Sequence, residues 1–125
     1  MSFPEDRIGY HFENPELLKT ALTHSSYANE HGCDSYERLE FLGDSILGFL
    51  SAKYLYLHDP PVPEGRMTRL RAELVCEASL HAVAKSLGLG AYIRLGKRLQ
   101  RRKACEKCGG HLVNALIGAL SREPH

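Results

Sequence analysis

From Asp34 to Pro61 the sequence leaves room for little but one long helix. Asp34 followed three residues later by Glu37 reads as a capping box, in which two side chains satisfy backbone N–H groups that the first helical turn leaves without partners. Leu39, Leu42, Ile46, Phe49 and Leu50 then trace an apolar stripe at helical spacing. The pattern runs on through Ala52, Tyr54 and Leu55. It must stop at His58-Asp59-Pro60-Pro61, because proline has no N–H to donate and its ring clashes with the preceding turn.

The flanking segments carry the same periodicity. Asn14 as N-cap, Pro15 at the first helical position and Glu16 behind it open an earlier helix, with Leu17, Leu18, Ala21 and Leu22 on one face. The polar run His24-Ser25-Ser26-Tyr27 is expected to end or just leave that helix. Glu64 to Val75 reads as a helix with Met67, Leu70, Leu74 and Val75 facing inward, and Glu77 to Leu87 as another, closed by Gly88 and Gly90. Ile93 to Gly110 is basic and loop-like, and a last apolar helix runs from about His111 to Leu120. No segment alternates as a sustained strand does, so the expected class is all-α.

With 125 residues, of which 43% are hydrophobic, the chain suits one compact domain over 1–125 rather than two. It holds no run of about eighteen apolar residues, so no membrane span is expected. Its N-terminus has neither the basic head nor the apolar stretch of a secretion signal, and a cytoplasmic location is the default. Four cysteines in such a context read as thiols. Cys76 is expected in the core. Sixteen Lys plus Arg against fifteen Asp plus Glu leave almost no net charge, so only the distribution of charge can point to a partner. Lys97, Arg98, Arg101, Arg102, Lys103 and Lys107 form a basic stretch that could track a phosphate backbone. The bland alternative is a solvated charge run.

Glu37, Glu40 and Asp44 fall at i, i+3 and i+7, so one helical face carries three mutually repelling carboxylates. A divalent cation such as Mg²⁺, which takes oxygen ligands, would compensate that repulsion. A solvated acidic stripe paired with neighbouring arginines is the other reading that the spacing allows.

The run Glu37-Arg38-Leu39-Glu40-Phe41-Leu42-Gly43-Asp44-Ser45 resembles the signature segment of the ribonuclease III family. Phe12 to Leu18, Ala21 to Tyr27, Pro63-Glu64-Gly65, Leu70 to Val75, Leu87 to Gly90, Arg94 to Lys97 and Ala115 to Ala119 are similar to other family segments. The resemblance implies an all-α homodimer built as the family's helical endonuclease-domain bundle. It implies cleavage of double-stranded precursor RNA with Mg²⁺, Mn²⁺ being a possible substitute, and no small-molecule cofactor. By the same resemblance Glu40 is a direct metal ligand, Asp44 orients the metal-bound water or its ligands, and Glu37 and Glu64 are secondary acids. His24, Ser25 and the basic residues Lys97, Arg98, Arg101 and Arg102 would contact RNA. The signature helix would lie at the dimer interface, exposing Leu42, Ile46 or Phe49 to a partner.

The last helix departs from the family pattern. Aligned on Ala115 to Ala119, that pattern has Glu where Asn114 stands and Asp where His111 stands. Asn offers one neutral oxygen, and neutral imidazole prefers softer ions than Mg²⁺. Two functions therefore stay open: an RNA-processing endonuclease, or a catalytically degenerate dimer that binds structured RNA or serves as a structural part. The expected domain is C-terminally short and lacks a double-stranded-RNA-binding domain. Cys105-x-x-Cys108-x-x-His111 has the spacing of zinc ligands, but no second pair completes it, so zinc is not expected there.

Overall fold

A computed structural model describes residues 3–100 and 109–124. Its elements run α1 (Phe3–Ile8), α2 (Pro15–Ala21), α3 (Ser25–His31), α4 (Glu37–Tyr56), α5 (Glu64–Leu74), α6 (Glu77–Leu87), a 3₁₀ turn (Leu89–Tyr92), α7 (Lys97–Gln100) and α8 (Gly109–Ser121). Among the described residues no strand forms. A single parallel bridge joins Thr23 to Arg94. No described helix is long and apolar enough to cross a membrane.

α8 is the hub. Leu112, Ala115, Leu116 and Ala119 are buried along it, and so are Gly109, Gly110 and Gly118. A helix buried on nearly every side must sit in the middle of the others. α4 lies along it most extensively, followed by α6 and then α2. Close approach of α4 is possible because glycines meet backbone at the crossing. A Cβ at Gly43 would overlap the carbonyl oxygen of Asn114, and one at Gly118 would overlap that of Leu39. The glycine in the signature run is thus a packing requirement.

Local signals are honoured at several ends. The Asn14 side chain accepts from the Glu16 N–H at 3.1 Å, as its N-cap position predicts. Gly88 ends α6 in the left-handed region at φ +66°, a conformation that residues with a Cβ resist. Other ends differ from expectation. His24 to Tyr27 does not end a helix but starts α3, with His24 as its N-cap accepting from the Ser26 N–H. The capping box at Asp34 does not form. α4 begins at Glu37, and the hydroxyl of Ser35 accepts from the Glu37 N–H at 3.3 Å. Part of the basic loop winds into α7, and α8 starts two residues before His111.

α4 buries Gly43, Ser51 and Leu55, whereas Phe49 is 64% and Phe41 78% exposed, with Leu50, Tyr54 and Leu57 exposed nearby. α5 buries no residue: Met67, Leu70 and Val75 are half-buried and Leu74 is exposed. Cys76 is exposed and sits at the N-cap of α6 rather than in the core, its thiol held below the usual range by hydrogen bonding to Ser79. Cys33 is likewise an exposed free thiol.

Candidate functional site

The crossing of α4 and α8 decides which side chains meet. Gly43 lies over Asn114 at this crossing, and Glu40, almost one turn earlier on α4, meets His111 of α8. His111 Nδ1 is paired with Glu40 Oε2, the two side chains being 49% and 23% exposed. The imidazole lies nearly parallel to the ring of Tyr36, itself buried, at a centroid distance of 6.1 Å. Tyr36 meets His24 edge-on at 5.9 Å on its other flank.

Beside this pair, Asn114 is only 6% exposed and its side-chain oxygen has no hydrogen-bond partner. A buried carbonyl oxygen left unpaired costs about 1–3 kcal/mol, so such atoms mark places where a ligand or water belongs. Glu40, His111 and Asn114 together line a pocket of about 170 Å³ closed by Val75, Glu77, Leu80 and Gly110. Glu77 was not singled out by its sequence context. An acid at the first position of a helix is common for dipole reasons alone, so nothing local marks it.

The remaining acids are placed differently. Asp44 is exposed one turn beyond Glu40 and does not line this pocket. Glu37 is exposed and bonded by the Ser35 hydroxyl. Glu64, at the start of α5, accepts from Thr68 at 3.2 Å and faces a separate hollow with Ala52, Tyr56 and Arg71. Among the described residues no group of three His, Cys, Asp or Glu side chains is gathered closely enough to hold a metal ion. The donors that do gather are one carboxylate, one imidazole and one neutral amide oxygen. That set fits a divalent cation in kind, but it is poor in the anionic oxygen that Mg²⁺ demands.

A second feature lies beside the first. Arg94 donates to the Thr23 hydroxyl at 2.6 and 2.9 Å and stacks over Tyr27 at 4.6 Å. The Gly96 N–H donates to Ser26 Oγ at 2.8 Å, and that of Lys97 to Glu30 at 3.0 Å. These bonds dock the start of α7 on α3, so that Lys97 and Arg98, both exposed, share one neighbourhood with His24 and Ser25. Ser26 Oγ, accepting from Gly96, gives its own proton to His24 Nδ1 at 2.8 Å. With two donors on Nδ1, His24 is held neutral with its proton on Nε2. Its pKa is lowered first by burial and further by His111, while Glu37 pulls it up. Arg101, Arg102, Lys103, Lys107, Cys105 and Cys108 lie outside the described residues.

The chain matches a family model described as ribonuclease-III-like over residues 14–123. It is 44% identical over 121 residues to ribonuclease 3 of Oceanobacillus iheyensis, covering 93% of this chain and 53% of the relative. To ribonuclease 3 of Clostridium botulinum it is 50% identical over 119 residues, covering 93% and 51%. The chain thus spans about half the length of the curated relatives it matches. The nuclease domain of ribonuclease III from Campylobacter jejuni, described as flexible in a region involved in dimer formation, superposes with a TM-score of 0.89 at 34% identity, covering 97% of this chain and 84% of that one.

Proposed function

The chain belongs to the ribonuclease III family, and from that premise we propose that it is the nuclease unit of an endoribonuclease that cuts double-stranded RNA as a homodimer with a divalent metal. The observation that carries this reading is the pocket in which Glu40 of the signature run faces the buried, partnerless oxygen of Asn114. A divalent ion held there would polarise an RNA phosphate and lower the pKa of a bound water. Glu40 and Asn114 supply oxygen ligands. Asp44, one turn on and outside the pocket lining, orients the metal-bound water or its ligands, while Glu37 and Glu64 act as more distant acids. Lys97 and Arg98, with Arg101 and Arg102, contact phosphates, and backbone and 2′-hydroxyl contacts dominate A-form recognition. His24 has spent Nδ1 on capping α3, so Nε2–H is the atom left to donate to RNA, beside Ser25. The exposed rings of Phe41 and Phe49, on one side of α4, support self-association, since apolar surface of that kind on a helix bundle needs a cover.

A second reading is favoured by one contact. His111 occupies the carboxylate of Glu40, as expected of a degenerate member that binds structured RNA or builds an assembly without cutting. Labelled duplex RNA incubated with the protein and Mg²⁺ or Mn²⁺ separates the two. Divalent-dependent cleavage that falls at least about a hundredfold in Glu40→Gln supports the nuclease. Binding without cleavage at any metal concentration, with cutting gained in His111→Asp plus Asn114→Glu, refutes it and establishes the degenerate reading.

A further inference from the structure

We propose that the pocket between α4, α6 and α8 takes a late first-row divalent ion of the Co²⁺, Ni²⁺ or Zn²⁺ class in preference to Mg²⁺, through Glu40 Oε2, His111 Nδ1 and Asn114 Oδ1. The proposal deepens the functional reading above and rests on it for the identity of the site. Its warrant lies in this chain's own donors. Glu40 Oε2 and His111 Nδ1 already point at one another. The ring of His111 lies nearly parallel to that of the buried Tyr36. Asn114 brings an oxygen to the same pocket that is buried and has no partner in the protein.

The volume and the chemistry agree on the class of ligand. About 170 Å³ accommodates an ion with a few of its waters, each of which occupies roughly 30 Å³. An organic cofactor would need several times that space. Mg²⁺ binds oxygen, gives up water reluctantly and gains little from imidazole. Late first-row ions bind imidazole well and bind a given nitrogen-containing site more tightly than the earlier ions do. The ion replaces the hydrogen bond between His111 and Glu40, with His111 binding it as the neutral imidazole that carries its one ring proton on Nε2 and offers Nδ1. Glu77, lining the same pocket, adds negative charge that any cation there would feel. The proposed ligand set includes neither Cys105 nor Cys108.

Isothermal titration of the full chain with Co²⁺, Ni²⁺, Zn²⁺ and Mg²⁺, together with the visible absorption of the Co²⁺ form, tests the proposal without RNA. The expected result is one Co²⁺ per chain bound at least about thirtyfold more tightly than Mg²⁺. His111→Ala should weaken Co²⁺ at least about tenfold, shift its absorption and leave Mg²⁺ affinity within about twofold. His111→Asp plus Asn114→Glu should reverse the preference. Cys105→Ser plus Cys108→Ser should change nothing. Equal affinity for Mg²⁺ and Co²⁺ overturns the proposal, as does Co²⁺ binding that survives His111→Ala or disappears with the two cysteines. His111 is half exposed, so its removal is not expected to unfold the chain, and the far-ultraviolet helical signal checks this. Tight Co²⁺ binding without duplex cleavage sustains this inference and refutes the endonuclease reading, so the two fail separately.

Discussion

Substituting Gly43 by alanine should separate two helices that now touch backbone to backbone. The added Cβ falls well inside the 3.0 Å that real Cβ atoms keep, and what it meets is the main chain of Asn114 and Gly118. No rotamer change relieves such a clash. α4 must move off α8, and a radial gap of about 0.5–1 Å forfeits a quarter to a half of the dispersion attraction between facing atoms. Overpacking typically costs about 1–3 kcal/mol, and a clash with backbone belongs at the top of that range. Alanine returns roughly 1 kcal/mol through its better helix propensity. The net loss is therefore about 2 kcal/mol, or roughly 5–8 °C in Tm for a domain of this size. Gly48→Ala in the same helix is the internal control, because a Cβ there meets nothing within 4 Å. It should gain about 0.5–1 kcal/mol. Urea unfolding of both variants and the parent, followed by circular dichroism, gives the comparison. If Gly43→Ala were as stable as Gly48→Ala, the packing role assigned to the signature glycine would be wrong.

Three further outcomes are expected. The buried carboxylate of Glu123 accepts from the Tyr10 hydroxyl at 2.9 Å and from the N–H groups of Glu13 and Asn14 at 2.6 and 3.0 Å. Glu123→Gln removes the charge and aims an NH₂ at donors. It should cost about 2 kcal/mol and bring down the Tyr10 pKa, now raised by burial and then by Glu123; an unshifted urea midpoint would count against it. Phe49→Glu puts an unpaired charge into the proposed dimer face twice over, once from each copy. Self-association should weaken at least about a hundredfold by sedimentation equilibrium, and an unchanged dimer would move the interface elsewhere. His24 binds its proton more weakly folded than unfolded, so the unfolded chain takes up more protons as the pH falls. Its stabilising contribution is complete above about pH 6.5 and is lost as the pH drops through the lower folded value. An NMR titration midpoint below 6.5 is expected for this ring, and one at or above 6.5 would refute the cap assigned to Nδ1.

Local chemistry was readable directly from the chain. Asn14 with Pro15, the prolines after His58 and Gly88 mark helix ends because capping and φ restriction involve residues that are neighbours in sequence. The run from Glu37 to Ser45 pointed to the family, and with it to an all-α fold. Elsewhere neighbouring signals competed with one another. Asp34 lost its capping role to Ser35, and His24 began a helix because Ser26, itself bonded from Gly96, fills its Nδ1. Only the tertiary structure decided which face of α4 is inside. The apolar stripe alone did not settle it: α8 packs over Gly43, Ser51 and Leu55 are buried, and Phe49 and Leu50 stay exposed. The same crossing brings Glu40 against His111 from 71 positions away and leaves Asn114 buried beside them. Periodicity tells a helix that it has an apolar side. Which side is buried depends on where another backbone can come closest, and that is settled by two glycines whose meeting no stretch of sequence contains.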